Sequence, residues 1–174
     1  MTWDAYNRRK SALREVVAIA DRRRDVTLTD LLDRVDPARE AFDDESALLL
    51  ELQLAWYQRL SGTLDRIAGA PDAPGGTAIG AWVEAAAQMP GARALLDANL
   101  ENPVLAKGLA NERIMMAASS GIWMNHPDAA ALGERIIDQA RERAVYPILA
   151  PETETSDDHR STGLVARLKS VLAA

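Results

Sequence analysis

Apolar residues recur at helical spacing along most of this chain, and Pro or Gly residues interrupt the pattern where helices would end. Clear breaks of this kind stand at Pro90, Pro103, Gly121 and Pro147. Alternating apolar and polar runs bounded by turns, which are typical of strands, do not occur. The pattern therefore predicts an all-α fold, a compact bundle of about six or seven helices.

The first predicted helix covers residues 3–23, and a short second helix follows it. One apolar face of the first helix comprises Trp3, Tyr6, Leu13, Val17 and Ala20. Thr27 is a candidate N-cap for the second helix, since Asp30 stands three positions later, as in a capping box. The Asp36-Pro37 pair is predicted to end this helix.

The strongest helical pattern covers residues 44–68. Its main apolar stripe comprises Leu49, Leu52, Trp56, Leu60, Leu64 and Ile67. Leu48, Leu50 and Leu54 widen the apolar surface, so we expect a central helix that is contacted on several sides. The Pro- and Gly-containing loop 69–76 that follows is the best internal linker candidate.

The second half of the chain predicts four further helices before residue 150. The first ends at Pro90, and the second contains Leu95 and Leu96. The third starts at Asn102 as N-cap, covers residues 103–120 and is apolar enough to predict a buried helix. The fourth starts at Asn125 or His126 and ends at Pro147. Residues 44–68 and 103–120 are expected to organise the bundle.

The last part of the chain divides by composition. We expect a helical domain over residues 1–150, a flexible acidic linker over 151–163 and a short amphipathic helix over 164–174. The apolar stripe of that helix, a candidate partner-binding surface, comprises Leu164, Val165, Leu168, Val171 and Leu172. A helix this short is not stable alone, so it must dock on its own domain, a partner or a second copy.

Composition and charge exclude several classes of protein. A length of 174 residues suits one domain, and the absence of Cys excludes thiol catalysis and Cys-ligated metal centres. The formal net charge is −6, although residues 1–24 hold seven basic and three acidic side chains. Such an acidic body disfavours nucleic-acid binding except through the basic first helix, and we expect the arginines of that helix to pair with the acidic body instead. The polar start and short apolar runs predict a cytoplasmic protein without membrane spans.

Familiar enzyme sites find little support in the sequence. The only histidines, His126 and His159, do not occur at a metal-ligand spacing, and Ser119-Ser120-Gly121 lacks the nucleophile-elbow pattern. Glu84 and Glu112 interrupt apolar helices, but an exposed helix edge or structural pairing is favoured over catalysis at both positions. We therefore predict no catalytic residue, no cofactor and no metal.

The four Trp residues are the remaining candidates for a binding site. Trp56 and Trp82 are predicted to pack in the core. For Trp123, in the loop between two helices, a role in a pocket or an interface is about as expected as a place in the core. An apolar ligand pocket near Trp82, Met115, Met116 and Trp123 would make this a small-molecule-binding domain.

The leading functional hypothesis is a non-enzymatic helical adaptor or regulatory protein. It would act through protein–protein contacts with a partner or as a homodimer. The small-molecule-binding domain is the main alternative. Nucleic-acid binding through residues 3–24 is the third.

Overall fold

The structure is a computed structural model that describes residues 3–23, 25–69 and 77–144. Within these ranges the chain forms eight α-helices and no strand, which confirms the predicted all-α class. The helices are α1 (Trp3–Arg22), α2 (Leu28–Arg34), α3 (Asp36–Ala41), α4 (Glu45–Ala68), α5 (Ala78–Gln88), α6 (Pro90–Asp97), α7 (Ala106–Ser119) and α8 (Ala129–Arg143). A single 3₁₀ turn, Pro103–Leu105, leads into α7.

The central position predicted for α4 is confirmed. It packs against α1, α2, α5, α6 and α7, while α7 and α8 form the most extensive helix pair. Trp56 of α4 and Trp82 of α5 are both buried, and their rings meet edge to face with centroids 5.3 Å apart. This geometry is favourable for aromatic pairs and confirms the core role predicted for these two residues.

Local capping signals in the sequence also hold in the structure. The Thr27 hydroxyl accepts a hydrogen bond from the Asp30 N–H at 3.1 Å, and the Asp30 carboxylate accepts bonds from the Thr27 hydroxyl and N–H. The hydrogen bond from the Thr27 hydroxyl is the main reason that the pKa of Asp30 lies below its ordinary value of 3.8, and the bond from the Thr27 N–H lowers it further.

The lowered pKa of Asp30 makes its contribution to the stability of the folded domain depend on pH. Because Asp30 holds its proton less tightly in the folded state, its stabilising contribution is present above pH 3.8 and is lost as pH falls through the lower folded pKa. In Thr27→Ala, we expect the Asp30 pKa, measured by NMR titration, to rise towards 3.8. The conservative Thr27→Ser keeps the hydroxyl and should keep the low pKa; an unchanged pKa in Thr27→Ala would contradict this account.

Three predicted boundaries differ from the observed ones. Asp36-Pro37 begins α3 as well as following α2, since Pro is tolerated in the first helical turn. Asn102 does act as a cap, but it opens the 3₁₀ turn before α7. Residues 126–128 form a turn in which the Asp128 N–H donates to His126 Nδ1 at 3.1 Å, and α8 begins only at Ala129. The burial expected for α7 is also partial, since its fully buried residues are Glu112, Met116 and Ala117.

The apolar faces of α1 and α4 are covered less than the sequence pattern predicts. The face of α1 that is fully buried is narrow and consists of Ala12, Val16 and Ala20. Trp3 is 74% exposed, and Leu54 of α4 is 51% exposed. Tyr6 and Leu50 are also exposed. The main stripe predicted for α4 is buried throughout, so the uncovered residues are Leu50 and Leu54 beside that stripe and the N-terminal aromatic residues of α1.

Two glycines allow helices to approach closely. A Cβ at Gly133 of α8 would stand 1.8 Å from the carbonyl oxygen of Arg113 in α7. A Cβ at Gly91 of α6 would stand 2.1 Å from the carbonyl carbon of Ala20 in α1. At both positions, any side chain would collide with the backbone of another helix.

Several predicted features lie outside the described residues. These are nearly all of the loop 69–76, the acidic linker 151–163 and the C-terminal helix 164–174 with its five apolar residues. Among the helices that the structure does describe, none combines the length and apolarity needed to span a bilayer.

Candidate functional site

A fully buried arginine occupies the centre of the core. The guanidinium of Arg93, on α6, lies over the ring of Trp56 at 4.8 Å and over the ring of Trp82 at 5.7 Å from the centroids. Cation–π attraction is strongest where water is excluded, as it is here. The two core Trp rings therefore stabilise the charge of Arg93 as well as filling space.

Acidic partners complete this buried cluster. Arg93 Nη2 donates to Asp97 Oδ1 at 2.9 Å, and Arg93 Nη1 lies 3.8 Å from Glu112 Oε2. Glu112 also accepts a hydrogen bond from Trp82 Nε1 at 2.8 Å, while Asp97 accepts one from Arg141 of α8 at 3.1 Å. The cluster links α5, α6, α7 and α8 through charged and polar contacts. Most of its polar atoms pair with one another, which is typical of a structural network. Arg93 Nε and Nη1 and Trp56 Nε1 are buried but make no hydrogen bond with any described residue.

Both glutamates considered as catalytic candidates are engaged in pairs. Glu112 is buried against Trp82 and Arg93, and Glu84 pairs with Arg66 and accepts a hydrogen bond from Gln88 at 3.0 Å. In the part of the chain that the structure describes, no group of three or more acidic or His side chains is placed to hold a metal ion.

The four residues of the predicted ligand pocket have different environments. Trp82 and Met116 are fully buried, and Met115 is half-buried. Trp123 is 80% exposed in the turn before α8, next to the exposed Met124. None of the four lines the large groove described next, so the apolar pocket stays a prediction.

A groove of about 910 Å³ runs between α1 and α4 and reaches the end of α5. Its apolar lining includes Tyr6, Leu13, Leu54, Ala55 and Met89. We call it the α1–α4 groove. On α4 its lining extends from Glu51 to Arg66, a rise of about 22 Å along the helix.

The polar lining of the α1–α4 groove is predominantly basic. It contains five cationic side chains and two carboxylates. Both carboxylates are neutralised locally, since Glu51 pairs with Arg9 at 2.7 Å and Glu84 pairs with Arg66. Lys10 and Arg14 make no ion pair with any described residue. An acidic ligand would therefore meet unneutralised positive charge on the α1 side.

Exposed aromatic and aliphatic residues extend this apolar surface. Trp3 stacks on Tyr6 with ring centroids 5.8 Å apart, and Leu50 stands one helical turn before Leu54 on α4. Large exposed apolar side chains on adjacent helices, rimmed by charge, are typical of interaction surfaces.

Gly62 lies in the lining of the groove in the middle of α4. A Cβ added there would meet nothing within 4 Å, unlike one added at Gly133 or Gly91. Because Gly is about 1 kcal/mol less favourable than Ala inside a helix, its presence costs stability without relieving any packing clash. The missing side chain does keep this part of the groove open.

The sequence contained two signals for this groove. The first is the cluster of basic residues beside Trp3 and Tyr6, for which the sequence predicts pairing with the acidic body. Among the described residues of this cluster that line the groove, Arg9 makes such a pair, with Glu51. The second signal, a Gly in the middle of the strongest helix, was missed. No protein-family model matches the chain, and no curated protein or solved structure matches it either.

Proposed function

We propose that this protein is a non-enzymatic helical adaptor or regulatory protein that binds a partner protein through the α1–α4 groove. The observation that carries this proposal is the convergence of exposed apolar residues of two adjacent helices on one basic-rimmed groove. Grooves of this kind accept the apolar face of an amphipathic helix.

The groove's shape and charge specify the partner segment. A lining of about 22 Å along α4 matches a helix of about 15 residues, or four turns. One face of the segment must be apolar to cover Leu54 and Tyr6. Acidic residues on its edge would pair with Lys10 and Arg14.

The groove's composition favours a protein ligand over a nucleic acid. Binding to a phosphate backbone depends on many accumulated positive charges, whereas this groove interleaves its cations with apolar residues and two carboxylates. The overall charge of −6 would further oppose a polyanion.

Gly62 provides a test that leaves the core untouched. In Gly62→Gln a long neutral side chain would occupy the groove, and we expect partner affinity to fall by about tenfold or more. Ala131→Gln is the matched control, because it adds the same side chain at an exposed position of α8 outside the groove and should leave affinity unchanged. A photo-cross-linking amino acid at Gln58, another groove residue, identifies the partner in native cells, and calorimetry with the purified partner gives the affinities.

Comparing these affinities decides whether the partner binds in the α1–α4 groove. Equal affinity of Gly62→Gln and the wild-type protein, with both folded by circular dichroism, would show that the partner binds elsewhere. Salt-sensitive binding of DNA or RNA by the wild-type protein would favour the nucleic-acid alternative instead.

A further inference from the structure

We infer that residues 151–172 of this same chain dock in the α1–α4 groove, so that an external partner must displace them. The inference rests on the proposed function, because it needs the groove to accept an amphipathic segment. It adds the identity of a resident ligand and makes partner binding competitive.

Charge complementarity is the first argument. The sequence Pro-Glu-Thr-Glu-Thr-Ser-Asp-Asp, residues 151–158, contains four carboxylates and no basic residue. The groove presents Lys10 and Arg14, neither of which has an ion-pair partner among the described residues. Opposite charges of this kind select and orient a bound segment.

Apolar complementarity is the second argument. After the acidic stretch, the sequence repeats apolar residues at helical spacing from Leu164 to Leu172. Such a helix needs an apolar surface to be stable. The groove offers one in Leu13, Leu54 and Met89, with Tyr6 at its edge.

The length of the connecting chain is the third argument. Twenty positions separate Ala144, the last described residue, from Leu164, and an extended chain of that length reaches about 66 Å. A domain of this size has a radius of gyration of about 15 Å, so Leu164 can reach any part of the surface. Asp158, fourteen positions after Ala144, has a shorter reach of about 46 Å. Tethering also gives an effective concentration in the millimolar range, at which weak contacts suffice.

Zero-length carbodiimide cross-linking of the full chain tests this directly. The chain has only three lysines, Lys10 in the groove, the exposed Lys107 on α7, and Lys169. At micromolar protein concentration, we expect amide bonds within the monomer between Lys10 and a carboxylate of residues 152–158, identified by peptide mass spectrometry. Lys107 is the internal control and should not link to this segment.

Matched variants show whether the cross-link to Lys10 depends on docking of the tail in the α1–α4 groove. The Lys10 link should be lost in Gly62→Gln, retained in Ala131→Gln, which adds the same side chain outside the groove, and reduced severalfold in Leu168→Ser. No Lys10 link, equal linking to Lys107, or links found only in covalent dimers would each overturn the inference. A partner that depends on Gly62 while the tail gives no Lys10 link would refute this inference alone. If the tail gives no Lys10 link and partner affinity does not depend on Gly62 either, the proposed function is refuted as well.

Discussion

Replacing Arg93 with Met is expected to destabilise the folded domain by about 3 kcal/mol or more. Arg93 is fully buried between Trp56 and Trp82, and it is the cation nearest to the buried carboxylate of Glu112. Removing one partner of a buried ion pair leaves the other charge in a medium that solvates it poorly. Urea denaturation followed by circular dichroism gives the change in the free energy of unfolding.

A double variant separates the loss of charge from the loss of packing. In Arg93→Met with Glu112→Gln, the uncompensated charge is gone, and the amide oxygen can still accept the Trp82 hydrogen bond. We therefore expect the double variant to be more stable than Arg93→Met alone. If the two substitutions are simply additive, the stabilising role of the Arg93–Glu112 pair is wrong.

The second large loss is expected for Gly133→Ala. The new methyl group would stand 1.8 Å from the Arg113 carbonyl oxygen, so α7 and α8 must separate to accommodate it. Forcing atoms into a packed region costs about 1–3 kcal/mol, and here the obstacle is backbone, which cannot rotate away. We expect a loss of about 3 kcal/mol in the free energy of unfolding.

Gly62→Ala is the matched control for this prediction. The substitution is chemically the same and also lies inside a helix, but the added methyl group meets nothing within 4 Å. It should stabilise the domain by about 1 kcal/mol, since Ala is the better helix former. Similar effects of the two substitutions, measured by thermal or urea unfolding, would show that the α7–α8 contact is looser than described.

The parts of the fold that depend on local sequence could be predicted from it. The cap at Thr27 involves neighbours within three positions, and the α4 pattern is long enough to identify a central helix. Periodicity also placed Trp56 in the core. Periodicity defines which residues share a helical face, but not how much of that face another helix covers. The sequence therefore assigns Leu48, which is buried, and Leu54, which is exposed, to the same wider apolar surface of α4.

The buried cluster and the glycine contacts could not be predicted in this way. A charged residue such as Arg93 is usually exposed, and its burial depends on partners brought from α4, α5 and α7 by the fold. Gly62 and Gly133 both stand in helical segments of the sequence. Only the three-dimensional packing shows that Gly133 is needed for the close approach of α7 and α8, whereas Gly62 relieves no contact.

Helix α1 is anchored to neighbouring elements near both ends of the α1–α4 groove. Near Gly91, α1 is fixed tightly to α6, and the Gly91 N–H also donates to Asp21 at 2.7 Å. At the other end, Arg9 joins α1 to Glu51 of α4 and to the Ala41 carbonyl, and it lies over the Phe42 ring. Arg9 thus holds this end through an ion pair, a backbone hydrogen bond and a ring contact, and α1 also packs along α3. The α1 wall of the groove is therefore held from outside by α3 and α6, independently of any ligand.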